Sequence, residues 1–241
     1  LLNKQQINAI CDRRFGIGAD GLILLELESN YDFKMVYFNS DGGVSSMCGN
    51  GGRCITSFAH DCGIHQNEYK FLAADGDHIA WIDDKGIVRL KMNDVNTIEN
   101  RGSYDFLNTG SPHLVKTVQG LKSYNVYQEG KAIRYSSRYK DEGVNVNFVE
   151  VLDEDEIFVR TYERGVEDET YSCGTGVTAA ALVNAHNDRG FNHIEVKTLG
   201  GNLFFEFDKI NDTSFENIWL CGPAVKVFEG SLTLPSPKER D

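Results

Sequence analysis

The sequence predicts an α+β protein built from two pseudo-symmetric halves, each a curved, mostly antiparallel sheet around a central helix. Two observations support this fold class. Short strand-like runs, separated by glycine- and aspartate-rich turns, recur along the chain. In addition, two matched segments each place one cysteine before Gly-x-Gly and then enter a helix-like stretch: Cys48-Gly49-Asn50-Gly51 and Cys173-Gly174-Thr175-Gly176. The same order of elements therefore occurs twice, which indicates an internal duplication.

In the first half, the pattern predicts a short helix over residues 5–14 and a longer one over residues 51–61. The apolar spacing of the longer helix predicts a buried stripe of Ile55, Phe58, Ala59 and Cys62, and Gly63 stands where a C-terminal cap is expected. Strands are predicted at residues 22–27, 33–38, 69–73, 78–82 and 88–92. Residues 93–104 have no clear period and are predicted to link the halves.

In the second half, a helix of small buried residues is predicted over residues 176–187. Strands are predicted at residues 113–118, 144–151, 157–162, 194–198, 202–207, 218–221 and 224–228. We expect an N-terminal domain of residues 1–93 plus a C-terminal strand at about 220–235, and a C-terminal domain of residues 94–219. Leu1 to Phe15 resembles the inside of a domain, so an N-terminal strand is expected to precede it.

The composition is that of a globular protein, with 41% apolar and 25% charged residues. The net charge of −12 argues against nucleic acid or an anionic membrane as a partner. No apolar run approaches the ~20 residues that span a bilayer. Because no secretory signal is recognised at the start, we expect a cytoplasmic protein whose six cysteines are reduced.

The two Cys-Gly-x-Gly segments point to acid–base chemistry. The positive end of a helix favours the thiolate form of a cysteine, and the glycine amides beside it can hold a carboxylate. Two such thiols in opposite protonation states can remove a proton from one side of a carbon and return one on the other. This is the chemistry of a racemase or epimerase that needs no cofactor, and no lysine is marked as a pyridoxal phosphate site.

Three other interpretations apply to the cysteines. Cys48 and Cys173 can be small buried residues beside helix-start glycines, although their repetition argues against this. They can also form a disulfide on oxidation if they face each other. A zinc site of Cys48, Cys54, Cys62 and His65 is a further alternative, but this set lacks the close cysteine pair of most structural zinc sites. We therefore predict no metal.

Several motifs resemble those of the diaminopimelate epimerase family, and together they cover nearly the whole chain. The first signature is Phe38-Asn39-Ser40-Asp41-Gly42 followed by Met47-Cys48-Gly49-Asn50-Gly51-Gly52-Arg53-Cys54. The second is Tyr162-Glu163-Arg164-Gly165 followed by Ser172-Cys173-Gly174-Thr175-Gly176. Shorter matches are Gly16-Ile17-Gly18-Ala19-Asp20, Gly110-Ser111-Pro112-His113, Val144-Asn145-Val146-Asn147-Phe148 and Gly222-Pro223-Ala224.

The resemblance implies two α/β domains with an active site in the cleft between them, and an epimerase that interconverts LL- and meso-2,6-diaminopimelate without pyridoxal phosphate. It implies that Cys48 and Cys173 are the acid/base pair, supported by His113 and Glu163. It further implies a set of substrate-binding residues, which are Asn39, Gly49, Asn50, Ser111, Asn145, Glu163, Arg164, Gly174 and Thr175. A homodimer is common in the family.

The chain departs from the family pattern at four places, one of which is the loop from Arg164 to Cys173, one residue longer than in some relatives. The N-terminal Gly-Asn-Asp-Phe segment, which supplies a substrate-binding asparagine, is absent from this sequence. Gly21 stands where many members have Gln, and Ser111 stands where many have Asn. One contact to the distal end of the substrate is therefore expected to be water-mediated or lost.

Two competing functions remain at this point. One is an epimerase for another amino acid, such as proline or hydroxyproline. Arg164 and the two asparagines, Asn39 and Asn145, argue against it, because they suit a substrate with a second charged end. The other is a binding protein with a Cys48–Cys173 redox switch, which would not exchange an α-hydrogen with solvent.

Overall fold

The computed structural model describes residues 2–45 and 47–233. The chain divides into two compact units, one running up to Gly86 and including the segment from Ala224, the other covering Ile87–Pro223. Each unit has a mostly antiparallel sheet and few helices, which confirms the predicted α+β class. Among the described residues, no helix is long and apolar enough to cross a membrane.

The first unit contains a sheet with the strand order β1-β2-β4-β5, and β3 pairs with β2. Its strands are β1 (Gly21–Glu26), β2 (Phe33–Asn39), β3 (Val44–Ser45), β4 (Tyr69–Ala73) and β5 (Gly76–Ile82). Helix α1 (Lys4–Cys11) begins at a capping box in which Asn3 and Gln6 exchange side-chain-to-backbone hydrogen bonds. Helix α2 (Gly49–Asp61) packs on β1, β2 and β5.

Helix α2 begins two residues earlier than predicted, and its end follows the prediction. Gly63 has a φ of 89°, and the amides of Gly63 and Ile64 bond to the carbonyls of His60 and Ala59 in a Schellman cap. The predicted buried stripe is partly wrong, because Phe58 and Cys62 are exposed. The buried face is instead shifted toward Gly52 and Thr56, whose small side chains carry little signal in an apolar pattern.

The second unit contains a sheet with the order β6-β15-β14-β13-β11-β10-β9-β8-β7, and β12 pairs with β11. The first five strands are β6 (Ile87–Lys91), β7 (Ile98–Asn100), β8 (Asp105–Asn108), β9 (Pro112–Thr117) and β10 (Asn145–Asp153). The other five are β11 (Glu156–Glu163), β12 (Asp168–Thr170), β13 (Gly190–Thr198), β14 (Gly201–Asn211) and β15 (Ser214–Pro223). Helix α3 (Val126–Arg134) packs on β10 and β11.

The central helix of the second unit is α4 (Gly174–Val183), which is almost wholly buried and packs on several strands of the sheet. It begins two residues earlier and ends four residues earlier than the prediction of 176–187. The reason lies after Val183, where the buried side chain of Asn192 accepts the Asn187 amide N–H at 2.9 Å and holds a loop instead.

Two further predictions need correction, and one helix was missed. Residues 93–104 contain β7 and a bridge between Val95 and Phe215, so they are not an irregular link. Residues 224–228 form no strand; Val225, Val227 and Phe228 alternate or cluster like strand residues but are exposed. Positions 234 and 235 of the expected C-terminal strand lie outside the described residues. The pattern also missed α3, because the buried residues of that helix are Val126 and Gly130.

Candidate active site

Cys48 is the N-cap residue of α2. Its sulfur accepts a hydrogen bond from the Gly51 amide at 3.2 Å, in the manner of a capping oxygen. The first N–H groups of a helix have no partner within the helix and form its positive end. A sulfur that accepts one of these N–H groups is favoured as the thiolate, which is the form that acts as a base.

The residues after Cys48 form a rigid first turn. The buried side chain of Arg53 donates to the Gly49 carbonyl at 3.3 Å and to Asn50 Oδ1 at 3.1 Å. Asn50 is therefore held in place by a residue one turn later in the same helix. No role was predicted for Arg53, although its i, i+3 spacing from Asn50 is one at which helical side chains meet.

Asn39 ends strand β2, and its side chain is exposed. Its backbone closes the following turn, since its N–H donates to the Gly43 carbonyl at 2.9 Å and its carbonyl accepts from the Gly42 amide at 2.8 Å. The turn requires glycine at position 42, where φ is 81° and a Cβ would lie 2.4 Å from the Lys4 carbonyl oxygen. The backbone thus serves the turn, while the amide side chain points away from the protein interior.

Cys173 occupies the corresponding position in the second unit, as the N-cap residue of α4. It is buried, and its sulfur lies 3.6 Å from the hydroxyl of Thr175. The carbonyl of Thr175 accepts a hydrogen bond from the Thr109 hydroxyl at 2.8 Å, which ties the first turn of α4 to the loop between β8 and β9. Gly174 and Thr175 therefore present their amides from a fixed helix end.

His113, on β9, lies behind this helix end and is fully buried. Its Nε2 lies 2.9 Å from the Thr175 hydroxyl oxygen and 3.0 Å from that of Ser111. Burial, and secondarily the positive charge of Arg164, lowers the pKa of His113 to about 3. His113 is therefore neutral at physiological pH and can support Cys173 through Thr175 without carrying a charge itself.

The side chain of Asn145 is almost fully used by protein contacts. Its amide nitrogen donates to the Ser111 hydroxyl at 3.2 Å and the Pro112 carbonyl at 3.1 Å, and its oxygen accepts from the Arg164 amide at 2.9 Å. Asn145 thus connects the β8–β9 loop to the turn after β11. The side chain of Arg164 is exposed and donates to the Glu142 carbonyl at 3.0 Å.

Glu163 is the last residue of β11 and accepts a hydrogen bond from the Thr170 hydroxyl at 2.8 Å. Thr170 belongs to β12, which pairs with β11 and places Glu163 opposite Asp168. In the second unit the structure thus brings together the side chains of Ser111, His113, Asn145 and Thr175, with Cys173 beside them. Asn39, Cys48, Gly49 and Asn50 belong to the first unit.

Two further site residues, Asn147 and Thr161, were not assigned a role from the sequence. Asn147 is fully buried on β10 and lies within 3.2 Å of His113 Nδ1, while Thr161 on β11 donates to Asn147 Oδ1 at 2.9 Å. Val144-Asn145-Val146-Asn147 alternates like a strand with one polar face. Because that face is buried rather than solvated, alternation gave no hint that Asn147 supports a histidine.

The zinc alternative finds no support in the described part of the chain, where no group of three or more His, Cys, Asp and Glu side chains could hold a metal ion. Cys54 on α2 and Cys62 at its C-cap are exposed. His65 instead contacts His60, with their Nδ1 atoms 3.4 Å apart.

The third residue of α4, Gly176, has less room for a side chain than the third residue of α2, Gly51. A Cβ on Gly176 would lie 2.3 Å from Asn147 Oδ1, whereas a Cβ on Gly51 would meet the ends of Met35 and Ile23 and the Cys48 sulfur at 3.0–3.2 Å. We expect Gly176→Ala to destabilise the protein by about 1–3 kcal/mol, because a buried amide must move. Gly51→Ala should stay within about 1 kcal/mol of wild type, because flexible side-chain ends can shift. Urea unfolding measures both, and equal destabilisation would contradict this difference.

Comparisons of the sequence with known proteins find relatives over nearly its whole length. A family model described as diaminopimelate epimerase matches residues 1–98 and 106–227. A diaminopimelate epimerase of Flavobacterium psychrophilum is 49% identical over 95% of this chain and 90% of its own length. One of Chlorobaculum tepidum is 41% identical over 97% of this chain and 93% of its own length.

Solved structures support the fold. A phenazine biosynthesis protein of the PhzF family from Bacillus anthracis has a TM-score of 0.71 at 13% identity, covering 97% of this chain and 90% of its own. A probable proline racemase from Agrobacterium radiobacter has a TM-score of 0.65 at 16% identity, covering 98% and 82%. The family model matches nearly the whole chain, and so does the diaminopimelate epimerase of Flavobacterium psychrophilum. The chain therefore belongs to the diaminopimelate epimerase family.

Proposed function

We propose that this protein is an isomerase that interconverts LL- and meso-2,6-diaminopimelate, with Cys48 and Cys173 as its two bases. The observation that carries the proposal is that both cysteines occupy the same position, the N-cap of a helix that begins with Gly-x-Gly. A relative that is 49% identical to this chain, over 90% of its own length, is named diaminopimelate epimerase.

The two cysteines divide the work of proton transfer. One thiolate removes the α-hydrogen, and the thiol on the opposite face of the carbon donates the proton that replaces it. Their roles exchange for the reverse reaction. Because base and acid are both side chains of this protein, the reaction needs no cofactor, and diaminopimelate is the small-molecule partner.

The helix ends address the weak acidity of the α-hydrogen. As the proton leaves, negative charge spreads into the substrate carboxylate. The amides of Gly49 and Asn50 on α2, and of Gly174 and Thr175 on α4, are first-turn N–H groups suited to hold that carboxylate. Arg53 and Thr109 keep these turns in place, so the donors are arranged before the charge develops.

His113 and Glu163 support the two thiols in this proposal without exchanging a proton with the α-carbon. His113 is neutral and buried, which keeps an uncompensated positive charge away from Cys173, while its Nε2 stays within hydrogen-bond distance of the Thr175 hydroxyl. Glu163 is oriented by Thr170. Neither residue needs to bond covalently to the substrate.

The distal end of the substrate, which carries a second amino and carboxylate group, is assigned to Arg164 with Asn39, Asn145 and Ser111. Arg164 and Asn39 are exposed, so their side chains are available to a ligand. The side chain of Asn145 positions Ser111 and the backbone of Arg164. In this arrangement, Asn145 shapes the distal site as much as it contacts the substrate.

Arg164→Lys is expected to raise KM for diaminopimelate roughly 10-fold with a smaller change in kcat, because a point charge replaces a fork that binds a carboxylate bidentately. Steady-state kinetics of the purified variant measures both constants. Arg138→Lys, a change of the same kind at another arginine, serves as the control. Unchanged KM and kcat in Arg164→Lys would remove its assigned role.

Deuterium incorporation tests the function as a whole. The purified protein is incubated with LL-diaminopimelate in heavy water, and we expect deuterium at the α-carbon together with formation of the meso isomer. Parallel incubations contain L-proline and trans-4-hydroxy-L-proline. Epimerisation of either of these without turnover of diaminopimelate would overturn the proposed substrate, and no exchange with any amino acid would overturn the reaction class.

A further inference from the structure

Resting on the proposed function, we propose that Asn147 is a positioning residue, which holds His113 as its Nε2–H tautomer so that Thr175 presents its hydroxyl hydrogen to Cys173. Asn147 lies on β10, directly opposite Thr161 of β11 and beside β9, which carries His113. It is fully buried, so its contacts are with the protein.

The orientation of the Asn147 amide is determined by its neighbours. Its Nδ2 lies 3.0 Å from the backbone carbonyl of Leu114, which can only accept a hydrogen bond. Its Oδ1 accepts from the Thr161 hydroxyl at 2.9 Å. The second hydrogen on Nδ2 is therefore available to His113 Nδ1, which lies 3.2 Å away.

The tautomer of His113 follows from this contact. A ring nitrogen that accepts a hydrogen bond carries no proton, so in the neutral imidazole the proton lies on Nε2. That Nε2 is 2.9 Å from Thr175 Oγ1 and 3.0 Å from Ser111 Oγ, and both hydroxyl oxygens can accept. Ser111 Oγ also lies 3.2 Å from the Asn145 amide nitrogen, which donates to it.

The series of hydrogen bonds that starts at Asn147 continues from His113 through Thr175 to the Cys173 sulfur. When Thr175 Oγ1 accepts from His113, its own hydrogen is left to donate, and the acceptors within reach are the Ser111 hydroxyl oxygen at 3.4 Å and the Cys173 sulfur at 3.6 Å. A charged thiolate is the stronger of these two acceptors. A hydroxyl that donates to the sulfur stabilises the thiolate. With the proton on Nδ1 instead, Nε2 would accept from the hydroxyl of Thr175 or of Ser111, and a Thr175 hydrogen used in this way is turned away from Cys173. Asn147 therefore favours the direction in which the hydrogen bonds run from His113 through Thr175 to Cys173.

The packing against α4 shows that this position is specific for asparagine. A Cβ on Gly176 would lie 2.3 Å from Asn147 Oδ1, so the amide sits directly against the first turn of the helix that Cys173 caps. The longer Gln has no room here. Asp has the same shape but can only accept, and it would draw a proton to His113 Nδ1.

The test compares Asn147→Asp with Asn192→Asp in the full chain. Asn192 is also a fully buried asparagine of the second unit with hydrogen bonds to the backbone, but its partners are Asn187 and Gly190. We expect Asn147→Asp to lower kcat roughly 10- to 100-fold with little change in KM, as for the loss of one hydrogen bond to a charged group. Asn192→Asp should lower thermal stability without that loss of kcat.

Nitrogen-15 NMR of labelled histidine reads the tautomer directly, independently of catalysis. In the wild type we expect the buried His113 ring to be protonated on Nε2, and in Asn147→Asp to carry a proton on Nδ1. A wild-type ring protonated on Nδ1 overturns the proposal even if no variant folds, as does equal kcat in the two aspartate variants. A wild type that turns over no diaminopimelate would instead overturn the proposed function, while the tautomer remains measurable.

Discussion

Replacing either Cys48 or Cys173 by Ala is expected to lower epimerisation of diaminopimelate by roughly 10²- to 10⁴-fold, the range in which a positioned acid or base contributes. Each single variant keeps one thiol, which can still remove and return a proton on its own face. Inversion then fails because the opposite face has no partner. Formation of meso-diaminopimelate from the LL isomer measures this loss.

The fold should survive both substitutions. Cys48→Ala removes the sulfur that accepts from Gly51, and loss of a capping group costs about 0.5–2 kcal/mol. Thermal unfolding checks that the variants are folded. Cys62→Ala, at the exposed C-cap cysteine of the same helix, is the matched control and should retain activity. Full activity in either active-site variant would exclude the two-base mechanism.

The second large effect concerns acid stability and arises from His113. Its pKa lies near 3 in the folded protein and near 6.5 in an unfolded chain, so the unfolded state binds a proton more readily. The stabilisation is fully present above pH 6.5 and is lost as the pH falls from there toward 3. In that window, His113 is expected to lower the free energy of unfolding by up to about 1.4 kcal/mol per pH unit.

Urea unfolding of wild type and His113→Gln across pH 4 to 7 measures this effect. The glutamine variant is expected to be less stable at neutral pH, because it loses packing and hydrogen bonds, so the readout is the slope with pH and not the absolute value. Its slope should be flatter than that of wild type. His186→Gln, at an exposed histidine, should keep the wild-type slope. Equal slopes for wild type and His113→Gln would show that His113 does not titrate as its burial requires.

Much of the candidate site could be predicted because its residues follow one another along the chain. A cysteine before Gly-x-Gly and a helix-like run is a local pattern, and both cysteines are N-cap residues as that pattern requires. The cap at Gly63 was likewise predictable, since a positive φ favours glycine. Helix α3 was missed because Val126 and Gly130 give too few apolar positions for a periodic signal.

The chemistry around His113 could not be predicted in the same way. Asn147 is far from His113 in sequence and meets it because β9 and β10 pair in parallel, which places Asn145 opposite His113 and Asn147 two residues further along. Propensity and alternation describe one strand at a time, so they do not report which strands become neighbours. The same limit explains the strand wrongly predicted after Pro223, where an alternating pattern has no partner.

The chain's local order was enough to establish an α+β protein with two thiols, each at a helix N-terminus, because helix starts, turns and caps depend on neighbouring residues. The tertiary structure decided what surrounds one of those thiols. Strand pairing buries His113 completely, and burial removes its charge. Asn147, held by Thr161, then directs the His113 hydrogen bond toward Thr175, which lies beside the Cys173 sulfur. Desolvation and cross-strand contact arise only when distant segments pack together. These two effects act on the protonation of Cys173 through His113 and Thr175.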